Sequence, residues 1–248
     1  MITGKLNMRQ SGMTIIDASK KFPVQTGLLW IDCEQGSNEW FQARLGVPSA
    51  SQFKRIVDTR GNWSRSAMAY CDELVGEIVT GKPAKKIRLP VAPEDNDLKN
   101  PFYWADRGTW MEDEARNHYM ALTGNEVKLA GFGINQPIGV GCSPDGLVGN
   151  DGGLEIKCPS AAVHNGYLRD QRIPPIYYQQ VMGSLLVTGR KWWDFFSYHP
   201  DFSRQLMIRV ERNEEYLEKM EEQLTKATGI IALEAQLEHL EPTQKEDY

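Results

Sequence analysis

Ser143 to Pro159 reads SPDGLVGNDGGLEIKCP and brings two aspartates, a glutamate and a lysine together in one short stretch. Asn150-Asp151-Gly152-Gly153 is a strong hairpin-turn signal, and the flanking runs Gly146-Leu147-Val148 and Leu154-Glu155-Ile156-Lys157-Cys158 are strand-like. Side chains alternate along a strand, so Glu155 and Lys157 share one face while Leu154, Ile156 and Cys158 share the other. Asp151 belongs to the turn. Asp145 lies across the turn from Glu155, close enough for the two carboxylates to converge. Two such groups on a rigid sheet make a hard oxygen site for Mg²⁺ or Mn²⁺. The competing reading is an exposed hairpin whose Glu155 and Lys157 form a same-face ion pair worth ~0–1 kcal/mol.

Other chemistries fit less well. Gly139 to Gly146 superficially offers a glycine-rich phosphate loop, but no helix is expected after it and Pro144 stands where the cradling turn would open. There is no G-x-S-x-G elbow or P-loop, and Ser143 has no recognisable histidine partner. Cys33, Cys71, Cys142 and Cys158 show no C-x-x-C spacing and the four histidines are scattered, so neither a zinc site nor a disulfide framework is expected. Cys142 and Cys158, beside the acidic pair, read as strand packing.

The net charge of −5 argues against a nucleic-acid partner only until its distribution is considered. Asn213 to Tyr248 carries ten acidic residues and three lysines, a balance of −7, which leaves residues 1–212 at +2. Basic groups cluster at Lys82, Lys85, Lys86 and Arg88, so an acidic total does not exclude phosphate binding. With 41% hydrophobic residues the chain can bury a substantial core. No signal-peptide pattern opens it and no apolar run reaches the roughly 18–20 residues of a membrane span, so a cytoplasmic protein without a membrane partner is expected.

The elements that must position these groups follow from periodicity and punctuation. The first 30 or so residues read as irregular. Helices are expected over Glu39–Leu45, over Ser49–Val57 with Ser49 as cap, over Ser66–Gly81, and over Arg107–Thr123, the last carrying Glu112 and Arg116 on one face. Lys82 to Pro101 reads as a long loop. Glu126–Leu129 and Gly131–Ile134 are strand-like and lead into the hairpin. Pro174-Pro175 opens a helix reaching Val187, Lys191–Tyr198 and Gln205–Val210 are strands, and 213–241 is an amphipathic helix with Leu217, Met220, Leu224, Ala227 and Ile231 as its apolar stripe. This order indicates an α/β fold, a mixed sheet flanked by helices.

Pro144-Asp145, followed after nine residues by Glu155-Ile156-Lys157, resembles the motif of the PD-(D/E)XK nuclease superfamily. Four further stretches occur in the order seen in phage lambda-type alkaline exonucleases, the lambda/YqaJ family. They are Trp40-Phe-Gln-Ala-Arg-Leu-Gly46 with Ser49-Ala-Ser51, Met111-Glu-Asp-Glu-Ala-Arg116, Cys142-Ser-Pro-Asp-Gly146 and Tyr178-Gln-Gln-Val181. The similarity spans about residues 30–225. It implies a restriction-endonuclease-like core in a single nuclease domain over residues 1–248, acting as a 5′→3′ double-strand DNA exonuclease.

The resemblance assigns roles residue by residue. Asp145, Glu155 and the backbone carbonyl of Ile156 match ligands of Mg²⁺, with Mn²⁺ as a substitute. Glu112 matches a helical carboxylate completing a second metal position, Lys157 the group that serves the attacking water, and Gln180 a glutamine orienting water or phosphate. Arg44, with Ser51 and Ser143, matches the 5′-phosphate pocket. One position departs from the family: an arginine found six residues after the motif lysine is here Val163, and Arg169, Arg172 or His164 are the candidates to compensate. Trp40 is expected in the core. The resemblance also implies a homotrimeric ring around DNA and a single-strand annealing recombinase as partner. The readings that compete are a structure- or site-specific endonuclease on the same core, a non-catalytic DNA-end-binding protein, and a metal-dependent hydrolase of small phosphate esters.

Overall fold

A computed structural model describes residues 27–84 and 103–240. Two sheets organise the chain. The larger has strand order β2-β5-β6-β7-β8, from Val127–Lys128, Gly146–Val148, Gly152–Lys157, Trp192–Ser197 and Leu206–Glu211. All its pairings are antiparallel except β6 with β7, so the sheet is mixed as expected. The parallel pair needs a crossover, made by helices α4 (Ala161–Asp170) and α5 (Pro175–Thr188). The smaller sheet is β1-β3-β4, from Leu28–Ile31, Phe132–Asn135 and Val140–Cys142.

The hairpin forms, with Gly146 opposite Leu154 and Val148 opposite Gly152, but its turn is residues 149–151, so Gly152 and Gly153, expected in the turn, open β6 instead. It is not the exposed hairpin of the competing reading, because both its faces are covered. Leu154, Ile156 and Cys158 pack with Ala115 and Tyr119 of α3 (Tyr103–Thr123), while Glu155, on the other face, is 1% exposed. The turn is clamped from beneath by buried Arg190, which donates to the carbonyls of Gly149 at 3.0 Å and Gly152 at 2.6 Å. A second buried polar lock ties α3 to the sheet. Tyr119 Oη donates to Asp194 at 2.7 Å, and Arg209 reaches the same carboxylate with two bonds of 2.9 Å.

The main core lies on the Glu155 side of the larger sheet, between α5, the C-terminal helix α6 (Glu214–Leu240) and α2 (Ala67–Thr80). The apolar stripe expected of α6 is buried there in full. Gly183 lets α5 approach the short 3-10 helix Ala50–Arg55, since a Cβ at that position would lie 2.4 Å from the Phe53 ring.

Several expectations are corrected. Leu28–Ile31, inside the segment read as irregular, is a strand because Phe132–Asn135 pairs with it from far along the chain, while residues 1–26 lie outside those described. The helix expected over Ser49–Val57 is only the 3-10 turn, and the Ser49 side chain does not cap it. Phe132–Asn135 belongs to the smaller sheet rather than to the hairpin's own. Helix α4 was not anticipated. The loop expected over 82–101 falls largely on residues 85–102, outside the described set, as does most of the basic cluster. No described helix is long and apolar enough to cross a membrane.

Candidate active site

The site is built where the β5–β6 hairpin meets α1 (Asn38–Arg44), α3 and α5. Asp145 precedes β5, and its Oδ2 accepts the backbone N–H of Ile156 at 2.6 Å, which holds it beside β6. Glu155 comes from the middle of β6. Its Oε1 accepts Gln180 Nε2 at 2.6 Å and is ion-paired with Lys157, so the expected same-face pair exists, but inside the protein. Lys157 also lies against the Tyr177 ring, 5.2 Å from its centroid. Glu112 reaches the group from α3.

Glu112 and Arg116 share a helix face, but Arg116 pairs with Asp113 and its Nε donates to the Asp145 carbonyl at 3.0 Å. A cleft of about 570 Å³ opens at this point, lined among others by Glu112, Ile156, Lys157, Val163, Tyr167 and Tyr177.

Electrostatics show what the cluster lacks. Burial, with the nearby Asp145 charge, raises Glu112 to about 8. Burial, again with Asp145 opposing its charge, raises Glu155 to about 7, although Lys157 and Gln180 act the other way. Burial also raises Asp145. Burial would pull Lys157 down, but Glu155 and Asp145 together hold it above its usual value, so it stays an ammonium. Three carboxylates facing one lysine are electrostatically frustrated, and a hard divalent cation relieves that frustration with oxygen ligands. The donor set therefore fits such an ion. It is not a closed cage, since among the described residues no three His, Cys, Asp or Glu groups already converge on one point.

A second cluster adjoins the first through Ser143-Pro144-Asp145. Ser143 Oγ accepts Trp40 Nε1 at 2.7 Å and Arg44 Nη1 at 3.3 Å, and Arg44 Nη2 donates to Ser49 Oγ at 3.1 Å. The Arg44 guanidinium stacks on Trp40, 4.1 Å from the ring centroid. Burial lowers the Arg44 pKa, and its described hydrogen-bond partners are hydroxyls, not carboxylates, which leaves the cation suited to an incoming anion. Pro144 is held in turn by Gln35, whose Nε2 donates to its carbonyl at 2.8 Å.

The structure thus gathers Asp145, Glu155, Ile156, Lys157, Glu112 and Gln180 in one group, and Arg44 with Ser143 in the other. Ser51 is placed differently from expectation: it meets Ser49 Oγ at 3.5 Å, and it is Ser49 that takes the Arg44 bond. Trp40 is half-buried and packs against the core cluster of Ile31, Ala43, Phe132 and Ile134, as expected, while its indole N–H donates to Ser143. Of the candidates to replace the arginine at Val163, His164 is excluded, because it is fully buried between Ser197 Oγ and the Arg204 carbonyl. Arg169 is exposed beside Asp170, and Arg172 is exposed. Sequence reasoning missed Ser49, Gln35 and Tyr177; only Ser49 carried a signal, as one of two serines flanking Ala50.

A family model described as the YqaJ-like viral recombinase domain matches residues 39–191, a span that contains every residue of both clusters except Gln35. Among solved structures, an alkaline exonuclease from Laribacter hongkongensis, LHK-Exo, is 30% identical with a TM-score of 0.68, over 82% of this chain and 96% of that one. The same enzyme in complex with dAMP matches at 29% identity and a TM-score of 0.65, over 81% and 95%. A phage-related exonuclease from Haemophilus somnus 129PT shares the fold, with a TM-score of 0.58 at 14% identity, over 78% and 95%. A search of curated proteins finds no match.

Proposed function

We propose that this chain, which belongs to the YqaJ-like viral recombinase domain family, is a divalent-metal-dependent exonuclease that degrades duplex DNA 5′→3′. It releases 5′-mononucleotides and leaves 3′ single strands for phage-type recombination. The observation that carries this reading is geometric: Asp145 is bonded to the strand that carries the Glu155–Lys157 pair, and Glu112 of α3 lines the cleft that opens beside Lys157. The likeness to an alkaline exonuclease supports it.

Asp145, Glu155, Glu112 and the Ile156 carbonyl would hold Mg²⁺, with Mn²⁺ as substitute and two ions in the full site. Bound there, such ions supply Lewis acidity at phosphorus and lower the pKa of a coordinated water. The chain's own groups do the rest. Lys157 keeps its proton beside Glu155 and so offers a fixed positive charge to the negative charge that builds on phosphoryl oxygen. Gln180, bonded to Glu155, presents its remaining amide atoms for orienting water or phosphate. Arg44, with Ser49 and Ser143, takes the terminal 5′-phosphate through its fork of donors. In this reading the enzyme is a trimeric ring on its DNA and hands the 3′ strand to a single-strand annealing recombinase.

The test is digestion of linear duplex labelled separately at its 5′ and 3′ ends, with and without Mg²⁺, beside a closed circular plasmid. Loss of the 5′ label as mononucleotide, only with metal and with the plasmid intact, is expected. Cleavage of the plasmid would turn the assignment to an endonuclease.

A further inference from the structure

Arg116 is four residues beyond Glu112 on α3 and shares its face. Its side chain is only 12% exposed, yet its bonds do not serve helix packing alone. Nε donates to the Asp145 backbone carbonyl at 3.0 Å, and Nη1 is ion-paired with exposed Asp113 on its own helix. Asp145 is therefore fixed twice, by Arg116 at its carbonyl and by the Ile156 N–H at its carboxylate. The preceding peptide is fixed once more, by Gln35 at the Pro144 carbonyl. Glu112 and Asp145 come from different elements, and the Arg116 guanidinium is the bridge between those elements at that level. Only an arginine offers donors in one plane to two acceptors lying on different sides.

We propose that Arg116 is a positioning residue that sets the distance between the Glu112 and Asp145 carboxylates, and thereby the cation affinity of the site. The inference rests on the metal-site reading of the proposed function. It makes a prediction opposite in sign to that of simple electrostatics. A guanidinium acting only through its field repels cations, so at a pH where the carboxyls are ionised its removal would tighten metal binding. If Arg116 instead holds the carboxylates in register, its removal weakens binding.

The experiment is direct Mn²⁺ titration by electron paramagnetic resonance on the purified chain, at pH 9 under anaerobic conditions so that proton competition is small, without substrate, for the wild type, Arg116→Met and Arg116→Lys, with thermal melts to establish folding. Arg116→Met should raise the Mn²⁺ Kd about 10- to 100-fold, the range for losing a group that orients a ligand. Arg116→Lys should recover part of that loss. A folded Arg116→Met protein that binds Mn²⁺ as tightly as wild type, or more tightly, would overturn the proposal. If the Met variant does not fold, the Lys variant decides: it keeps the charge and loses the planar fork, so wild-type affinity there overturns the proposal, and weaker binding supports it. Absence of Mn²⁺ binding by the wild-type chain would bring down the metal-site reading itself, and this inference with it.

Discussion

Acid should strip cations from this site by proton competition well before it unfolds the protein. With Glu112 raised to about 8 and Glu155 to about 7, chiefly by burial and then by the Asp145 charge, the metal-free site holds protons at neutral pH that a cation must expel. At pH 6.5 the pair is largely protonated, and at pH 9 it is largely ionised. Mg²⁺ binding should therefore release between one and two protons at pH 6.5 and almost none at pH 9, with apparent affinity rising about one to two decades per pH unit below neutrality. Isothermal titration calorimetry in two buffers of different ionisation enthalpy counts these protons directly, and Glu112→Gln should remove about one of them. Nuclease rates at subsaturating Mg²⁺ should follow the same curve and rise toward alkaline pH. The linkage reverses for stability without metal. Folded pKa values above the ordinary 4.5 mean that the stability these groups contribute is complete below about pH 4.5 and is lost as pH rises through 7 to 8. Mg²⁺ should thus raise the melting temperature more at pH 9 than at pH 6. Release of fewer than about 0.3 protons at pH 6.5 would refute the account, because the carboxyls would then already be ionised.

Asp145→Asn and Glu155→Gln change charge with almost no change in volume, so each should lower single-turnover cleavage at least about 100-fold while circular dichroism stays unchanged. Arg44→Ala should slow digestion of 5′-phosphorylated ends about 10- to 100-fold, the worth of a charge-assisted contact, and leave 5′-hydroxyl ends almost unaffected; equal slowing of both would place end recognition elsewhere. Asp194→Asn weakens the lock between Tyr119 and Arg209 and should cost about 2 kcal/mol in denaturant unfolding, a figure kept below that for fully buried pairs because Arg209 is half-exposed. Light scattering should give about three times 28.1 kDa, and a monomer at micromolar concentration would remove the ring.

Local chemistry made the site legible and long-range pairing hid its frame. Asn150-Asp151-Gly152-Gly153 specifies a turn by itself, and period-two alternation then puts Glu155 beside Lys157 whatever surrounds them. Pro175 at the start of α5 likewise announces the helix that carries Gln180. By contrast, Leu28–Ile31 becomes a strand only because Phe132–Asn135 pairs with it, and nothing in its own residues marks that. Ser49 looked like a helix cap because serine before an apolar run usually is one. Here the Arg44 guanidinium donates to its hydroxyl instead, a contact set by the packing of α1 against β3. Only the competing reading gave the hairpin a wet face; that face is covered by the crossover through α4 and α5, which no single segment encodes.

Ser143-Pro144-Asp145 joins the arginine cluster to the carboxylate cluster with a single residue between, and Pro144 keeps Ser143 from coiling. Two residues of extended chain reach at most ~7 Å. The tripeptide is in effect a ruler, graduated in the protein's own backbone: it bounds how far the hydroxyl that accepts from Arg44 can stand from the carboxylate that accepts from Ile156. On the proposed reading of Arg44 as the end-binding group, lengthening this tripeptide by a residue should change the size of the fragment released before it changes the chemistry.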